Sequence, residues 1–364
     1  MSQYQIYSTS QEAWNGMYQA ICSAEKSIYW ELYIFVDDEA GERFFNVLEQ
    51  KARAGVDVKL ILDYVGSFGV SRKRAQSLKD AGVDLLFFHE RKYRYRGLWK
   101  KLVSRTHRKI LVVDESIGFI GGVNIDKRMK DWLDIHIQIQ GRTAVRTLSR
   151  AFAKMYLICG GSKKNVRHLL KYKFRIAKEF QDIHFVFDDA HDTRSFARRK
   201  YTEALLRARE RVILFSPYYF PDRKFLYALW QARKRGVKVD LLIPFRTDVR
   251  IATFAAYAWF SLMKKYGVRV HLLDTMMHGK GVIVDEEWAM IGSSNLEHGS
   301  FYDNYEANVT LADKNVVKKL KTIVEGWLQK ANLLDGARWE RRGAWHRFKE
   351  RWAIRLYRVW HRRS

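Results

Sequence analysis

Proline is scarce in this chain of 364 residues, which holds only Pro217, Pro221 and Pro244. No Ser/Gly-rich stretch replaces it as a linker, so two globular bodies on a flexible string are a poor model for it. Cysteine is scarcer still, with Cys22 and Cys159 alone. Two thiols so far apart make neither a disulfide framework nor a metal-ligand spacing. The plain expectation is a reduced intracellular protein with two core thiols. Acidic residues number 40 against 66 lysines and arginines, a net charge of +26. That excess predicts an anionic partner: nucleic acid, an acidic membrane surface or a phosphate-bearing substrate. Long apolar runs are missing too. The nearest, ATFAAYAWFSLM at residues 252–263, falls short of the roughly 20 residues of a spanning helix and reads as a buried one. The polar beginning, MSQYQIYSTSQEAWNGMYQA, lacks the basic and then apolar regions of a signal peptide. Any membrane contact is expected to be peripheral.

What is plentiful is apolar material, 47% of the residues, and it is laid out twice. The first half reads AEKSIYWELYIFVDD (24–38), ARAGVDVKLILD (52–63), AGVDLLFF (81–88) and THRKILVVD (106–114). The second reads ARERVILFSPYYFPD (208–222), RKRGVKVDLLIP (233–244), YGVRVHLL (266–273) and MHGKGVIVD (277–285). Only the first carries a basic, aromatic insert, RKYRYRGLWKKLVSR (91–105). Helical patterns at 11–24, 41–54, 195–209 and 223–235 alternate with these strands. Such alternation predicts βαβ units and a mostly parallel sheet in each half. ESIGFIGGVN and EEWAMIGSSN read as return strands of hairpins. The expected architecture is α/β: two similar α/β/α sandwiches over residues 1–175 and 176–335, then a C-terminal segment, 336–364.

The last block of each half places titratable groups at the ends of an apolar run. His107, Lys109 and Asp114 follow the pattern H-x-K-x4-D, and His278, Lys280 and Asp285 repeat it. Asn124 and Asn295 come after small residues, Gly121-Gly122 and Ser293-Ser294, at the same offset. One copy would read as a histidine and a lysine on a solvated edge strand. Two copies in a duplicated frame argue against that. In a strand, residues two apart share a face, so each histidine is expected to project with its lysine. Asp114 and Asp285 have the other parity and are expected to hold the lysines or the turn. The glycine and serine pairs are expected to let a substrate approach the backbone.

On these residues the chain resembles the phospholipase D superfamily, marked by paired H-x-K-x4-D motifs. Within it, ELYIFVDDEAG (31–41), HRKILVVDESIGFIGGVN and SPYYFPD (216–222) look most like bacterial cardiolipin synthases, of a short type without N-terminal membrane-spanning helices. The resemblance implies two halves related by a pseudo-twofold axis, with the active site at their interface. It implies a catalytic set of His107, Lys109, Asp114, His278, Lys280 and Asp285, with His107 as nucleophile and His278 as acid and base. Lys109, Lys280, Asn124 and Asn295 would bind the phosphate oxygens. Asp134 in DWLDIHIQI and Glu306 in DNYEANVTL resemble the carboxylates that orient each imidazole. No metal or other cofactor is expected, because the lysines supply the positive charge.

The C-terminal run RWERRGAWHRFKERWAIRLYRVWHRRS carries the remaining signal. On a helix, Trp345, Phe348, Trp352, Leu356 and Val359 form one apolar stripe flanked by arginines such as Arg355. Trp345, Phe348, Trp352, Arg355 and Trp360 are expected to contact an anionic membrane, placing the protein on the cytoplasmic side of a bacterial cell membrane. A helix docked on the body with a solvated basic face is the alternative. The expected activity is phosphatidyl transfer to phosphatidylglycerol. A phospholipase D-type hydrolase and a nuclease of the same superfamily are the rivals, so nucleic acid stays open as a partner. A non-catalytic binding module would have no need of both histidines.

Overall fold

Runs such as SIYWEL and DVKLILD are apolar on both pleat faces, which suits strands covered by helices on two sides. The computed structural model describes residues 4–89, 104–171, 182–190, 192 and 194–362. The chain divides into two units, Met1–Phe185 and Val186–Ser364. This is somewhat later than 175, and the C-terminal helices fall within the second unit.

The first unit is a seven-stranded sheet of β1 (Tyr4–Thr9), β2 (Ser27–Leu32), β3 (Asp57–Asp63), β4 (Asp84–Phe88), β5 (Ile110–Val113), β6 (Ile117–Gly121) and β7 (Leu133–Gln140), in the order β1-β7-β6-β5-β2-β3-β4. Only β2, β3 and β4 run parallel; the rest pair antiparallel. The sheet is therefore mixed rather than mostly parallel, because the hairpin β5–β6 is followed by β7 and then β1, and these four antiparallel strands make up more than half of it. Thr9 caps the helix Ser10–Cys22 through the Glu12 amide, and Asp38 caps Glu39–Arg53 through Ala40 and Gly41. Gly41 is obligatory there, since a Cβ would sit 1.9 Å from the Val36 carbonyl oxygen. These helices pack Trp14, Met17, Phe44 and Phe45 onto Trp30, Leu60 and Leu111. On the other face the helix Arg142–Ile158 stacks Phe152 on Tyr29 at 5.4 Å.

A second sheet repeats that plan with β8 (Ile183–Asp188), which spans the unit boundary, and then β9 (Arg211–Phe215), β10 (Lys238–Pro244), β11 (Arg269–Leu273), β12 (Gly281–Val284), β13 (Trp288–Gly292), β14 (Glu306–Leu311) and a short β15 (Asn332–Leu333) of the second unit. Its order, β15-β11-β10-β9-β12-β13-β14-β8, is the first sheet's order with one strand added at an edge. Asp222 caps Arg223–Lys234 as Asp38 caps its counterpart. The apolar run at 252–263 is buried, as expected, but is split into Arg250–Tyr257 and Phe260–Lys265. Among the described residues no helix is long and apolar enough to cross a membrane. The expectation of two core thiols fails for Cys22, which is exposed near the end of its helix; Cys159 is half-buried, and burial pushes its pKa up.

Candidate active site

Strand direction decides where the motif residues gather. β5 runs antiparallel to β2, with Ile110 opposite Glu31, so its N-terminal end lies at the carboxyl ends of β2 and β3. In α/β sheets that end collects the loops that bind ligands. His107 and Lys109 lie there, as do Asn124 just beyond β6 and Asp134 early in β7. The second unit places His278, Lys280, Asn295 and Glu306 equivalently around β12, β13 and β14.

The expectation that each histidine and lysine project from the strand itself needs correction. β5 begins only at Ile110 and β12 only at Gly281, so both pairs sit in the segment leading in. The ladder ends because the chain beyond β2 turns away to bridge Phe35 with Ile125, as Tyr219 bridges Leu296 in the second unit. Freed from the pleat, Lys109 folds back and donates from Nζ to the His107 carbonyl at 2.7 Å, and Lys280 does the same to His278. Both lysines are 1% exposed. The Tyr33 ring lies edge-on to His107 at 5.0 Å, with the Lys109 ammonium 5.2 Å from its centre.

Asp114 and Asp285 lie at the far end of their strands, on hairpin turns at φ 50° and 49°. Asp114 accepts from the amides of Glu25, Lys26 and Ser27, and Asp285 from those of Arg209, Glu210 and Arg211. Each carboxylate thus ties the hairpin to the entry of the neighbouring parallel strand. Burial alone would raise the Asp285 pKa, but the three amides and the Arg209 charge hold it below the ordinary value. A groove of about 330 Å³ lined by Lys200, Arg207 and Trp288 lies at this end too, away from His278.

The small-residue pairs serve the sheet more than an incoming substrate. A Cβ on Gly122 would stand 2.2 Å from the Asp134 carboxylate, and one on Gly121 would stand 2.4 Å from the Ile135 carbonyl. In the second unit Ser293 donates its hydroxyl to Glu306 and accepts from the Ala307 amide. The asparagines differ. Asn124 Oδ1 accepts from Ile34, while its Nδ2 is buried with no acceptor among the described residues. Asn295 spends its Nδ2 on Glu297 at 3.3 Å and leaves Oδ1 without a donor there.

Several residues escaped the motif reading. His136, two positions after Asp134 on β7, is buried and accepts from the Val123 amide through Nδ1. Burial pushes its pKa down to about 4, with Asp134 raising it and Lys109 lowering it to lesser degrees. Asn308 accepts from Ser294 at the matching place, so a neutral His136 does the work of an amide. Beneath His107, Glu31 meets Arg108 at 3.1 Å and accepts from the Thr106 hydroxyl, all three buried. Burial raises the Glu31 pKa against the pull of Arg108. Asp63 accepts from the Thr106 amide, and burial pushes it up to about 6. The second unit has Phe215, Met277 and Gly279 at the places of Glu31, Thr106 and Arg108. One available signal was a glutamate inside an otherwise apolar strand, SIYWEL. The insert at 91–105 lies outside the described residues apart from Ser104 and Arg105.

The comparisons with known proteins agree with this duplicated plan. A family model described as cardiolipin synthase, PLD-like domain, matches residues 17–156 and again 201–327. The chain belongs to that family. It is 31% identical over 358 residues to a cardiolipin synthase of Alkalihalophilus pseudofirmus, covering 96% of this chain and 70% of that one. A cardiolipin synthase of Staphylococcus aureus (strain Mu50 / ATCC 700699) is 29% identical over 358 residues, covering 95% and 71%. Among solved structures, the phosphatidylserine synthase of Haemophilus influenzae Rd KW20 superimposes with a TM-score of 0.76 at 14% identity, over 99% of this chain and 93% of that one. At that identity the likeness carries the fold. Two similar α/β halves with flanking helices, each matched by the PLD-like domain, are the fold expected from the repeat, with sheets that are mixed where mostly parallel ones were expected.

Proposed function

We propose that this chain, a phosphatidyltransferase of the cardiolipin synthase type acting on phospholipids, takes its phosphatidyl group from one phosphatidylglycerol and passes it to another. The observation that carries the reading is the repeated motif: each histidine-lysine pair occupies the same place at the carboxyl ends of the parallel strands of its own unit. The two histidines serve one reaction. His107 attacks phosphorus, and the bond to the headgroup oxygen breaks as His278 donates a proton, releasing glycerol. The primary hydroxyl of the second lipid then attacks the phosphohistidine, giving its proton to His278, and the P–N bond breaks to yield cardiolipin. Lys109 and Lys280 offset the added charge of the transition state. Asn124 carries more of the amide contact with phosphate than Asn295, whose donor is held by Glu297. Asp134 and Glu306 orient the imidazoles.

The reaction belongs at an anionic bilayer surface, on the cytoplasmic side of a bacterial cell membrane, with the C-terminal helix as one contact. That helix, Ala344–Arg362, lies against Arg250–Tyr257, with the His346 ring against Phe254 and Tyr257 and with Glu350 and Ala353 buried. Glu350 accepts from Arg342 at 2.6 and 2.7 Å. Trp345 is 68% exposed and Trp352 50%, with Phe348 and Leu356 exposed beside them and Arg355 on the surface. The apolar stripe faces outward, which favours a lipid contact over a stripe docked on the body. The side chains of Val359 and Trp360 lie outside the described ones.

Rapid alkaline quenching with phosphatidylglycerol radiolabelled at phosphorus tests the chemistry, since the P–N bond survives base while the acyl esters do not. Label should stay on the wild-type chain, while His107→Ala takes up none and His278→Ala, lacking the acid of the first step and the base of the second, takes it up and releases it slowly. The reverse pattern would exchange the two roles, and no label in any form would refute the covalent route.

A further inference from the structure

We propose that the turn after β3, residues 64–70, is a bilayer-contacting loop that seats an anionic lipid surface beside His107. This rests on the membrane reading above and gives the first unit its own contact. Phe68 is 86% exposed, with Val65 and Tyr64 also exposed. Scattered surface hydrophobes are ordinary, but three within five residues of one turn are not.

The turn is held rather than loose. Asp63 accepts from the amides of Val65 at 3.0 Å and Gly66 at 2.9 Å, and the Ser67 amide donates to the Asp63 carbonyl at 2.8 Å. The Ser67 hydroxyl donates to the Tyr33 carbonyl at 3.0 Å and accepts from the Phe35 amide at 3.1 Å. Gly66 has no room for a side chain, since a Cβ would lie 2.2 Å from that same carbonyl oxygen. A backbone so tied cannot swing Phe68 back into the core. The structure holds an aromatic ring in water, and Arg72 and Lys73 follow it on the exposed start of the next helix. Aromatic and aliphatic tips backed by cations suit the boundary between headgroups and acyl chains.

Its anchors also reach the catalytic segment. The other Asp63 oxygen accepts from Thr106, the residue before His107, and the Tyr33 ring touches both His107 and Lys109. A bilayer resting on Phe68 therefore lies near the attacking imidazole. Single-stranded nucleic acid also uses aromatics with cations, but Val65 offers no ring to stack, and the family acts on lipid.

The test uses the full chain with Cys22→Ser and Phe68→Cys, the new thiol carrying an environment-sensitive dye. Phosphatidylcholine vesicles with phosphatidylglycerol should shift the emission to the blue. Phe68→Ser with Val65→Ser should weaken partition to those vesicles by about tenfold, with the melting temperature unchanged. Normal vesicle binding with unshifted dye would overturn the loop proposal and leave the membrane reading standing. Failure of the wild-type chain to bind would overturn both. A shift with a single-stranded oligonucleotide but not with vesicles would reassign the loop to nucleic acid and overturn the proposal.

Discussion

His136 and Asn308 show how one backbone need is met by two chemistries. Each accepts from the amide of the residue before the repeated asparagine, but only the imidazole carries a titration. With a folded pKa of about 4 against an ordinary 6.5, His136 refuses a proton that the unfolded chain accepts. Stability from this group is complete above pH 6.5 and falls as pH drops toward 4, by ~3 kcal/mol in total. Asp63 and Asp188, both pushed up to about 6, act in the opposite sense, so the comparison must be between variants. His136→Asn should fold at neutral pH and lose that component, read as a smaller drop in urea midpoint between pH 7 and pH 4.5. An unchanged pH slope would contradict the assignment. At Glu31 and Arg108 the buried pair predicts non-additivity. Glu31→Ala should cost about 3–5 kcal/mol by removing the buried carboxylate that faces the Arg108 guanidinium, and Glu31→Met with Arg108→Met should cost less than that. In the folded fraction of the double variant, kcat should fall while KM for lipid holds, because the pair positions the segment carrying His107 and touches no substrate.

At the scale of elements, the motif aspartates act as clamps between a hairpin and its parallel neighbour. Asp285→Ala should lower stability by about 1–2 kcal/mol, as loss of a cap does. Its activity should decline in step with the folded fraction, measured by denaturation and assay on one sample; a loss of turnover at full folding would make it catalytic. The sequence was informative about the spacing of this motif and silent about its ends. Periodicity put His107 and Lys109 on a strand because nothing local marks where β2 leaves the ladder; that depends on the bridge of Phe35 to Ile125, far apart in sequence. The C-terminal stripe was legible, but its outward orientation was not, because it follows from His346 packing on Arg250–Tyr257 and from the burial of Ala353. Trp345→Ser, Phe348→Ser and Trp352→Ser together should weaken vesicle binding without a change in melting temperature. Removing the whole segment would be a poorer test, since Trp339 packs on Tyr257 and Phe260.

For the whole molecule, duplication was the most legible property, since a strand order repeats when the blocks that write it repeat. The extra edge strand β15 and the mixed sheets were less visible, because two-residue strands carry no periodic signal and return strands read alike in either direction. The net charge of +26 predicts vesicle binding that weakens as salt rises through the range where the Debye length shrinks to about 8 Å. Salt-independent binding would leave the apolar contacts as the sole anchor. Above all, the account stands on transfer from one lipid to another. Purified protein incubated with phosphatidylglycerol vesicles should yield cardiolipin and free glycerol, in equal amounts. Phosphatidic acid and glycerol, with no cardiolipin, would mean that water is the acceptor and would contradict it.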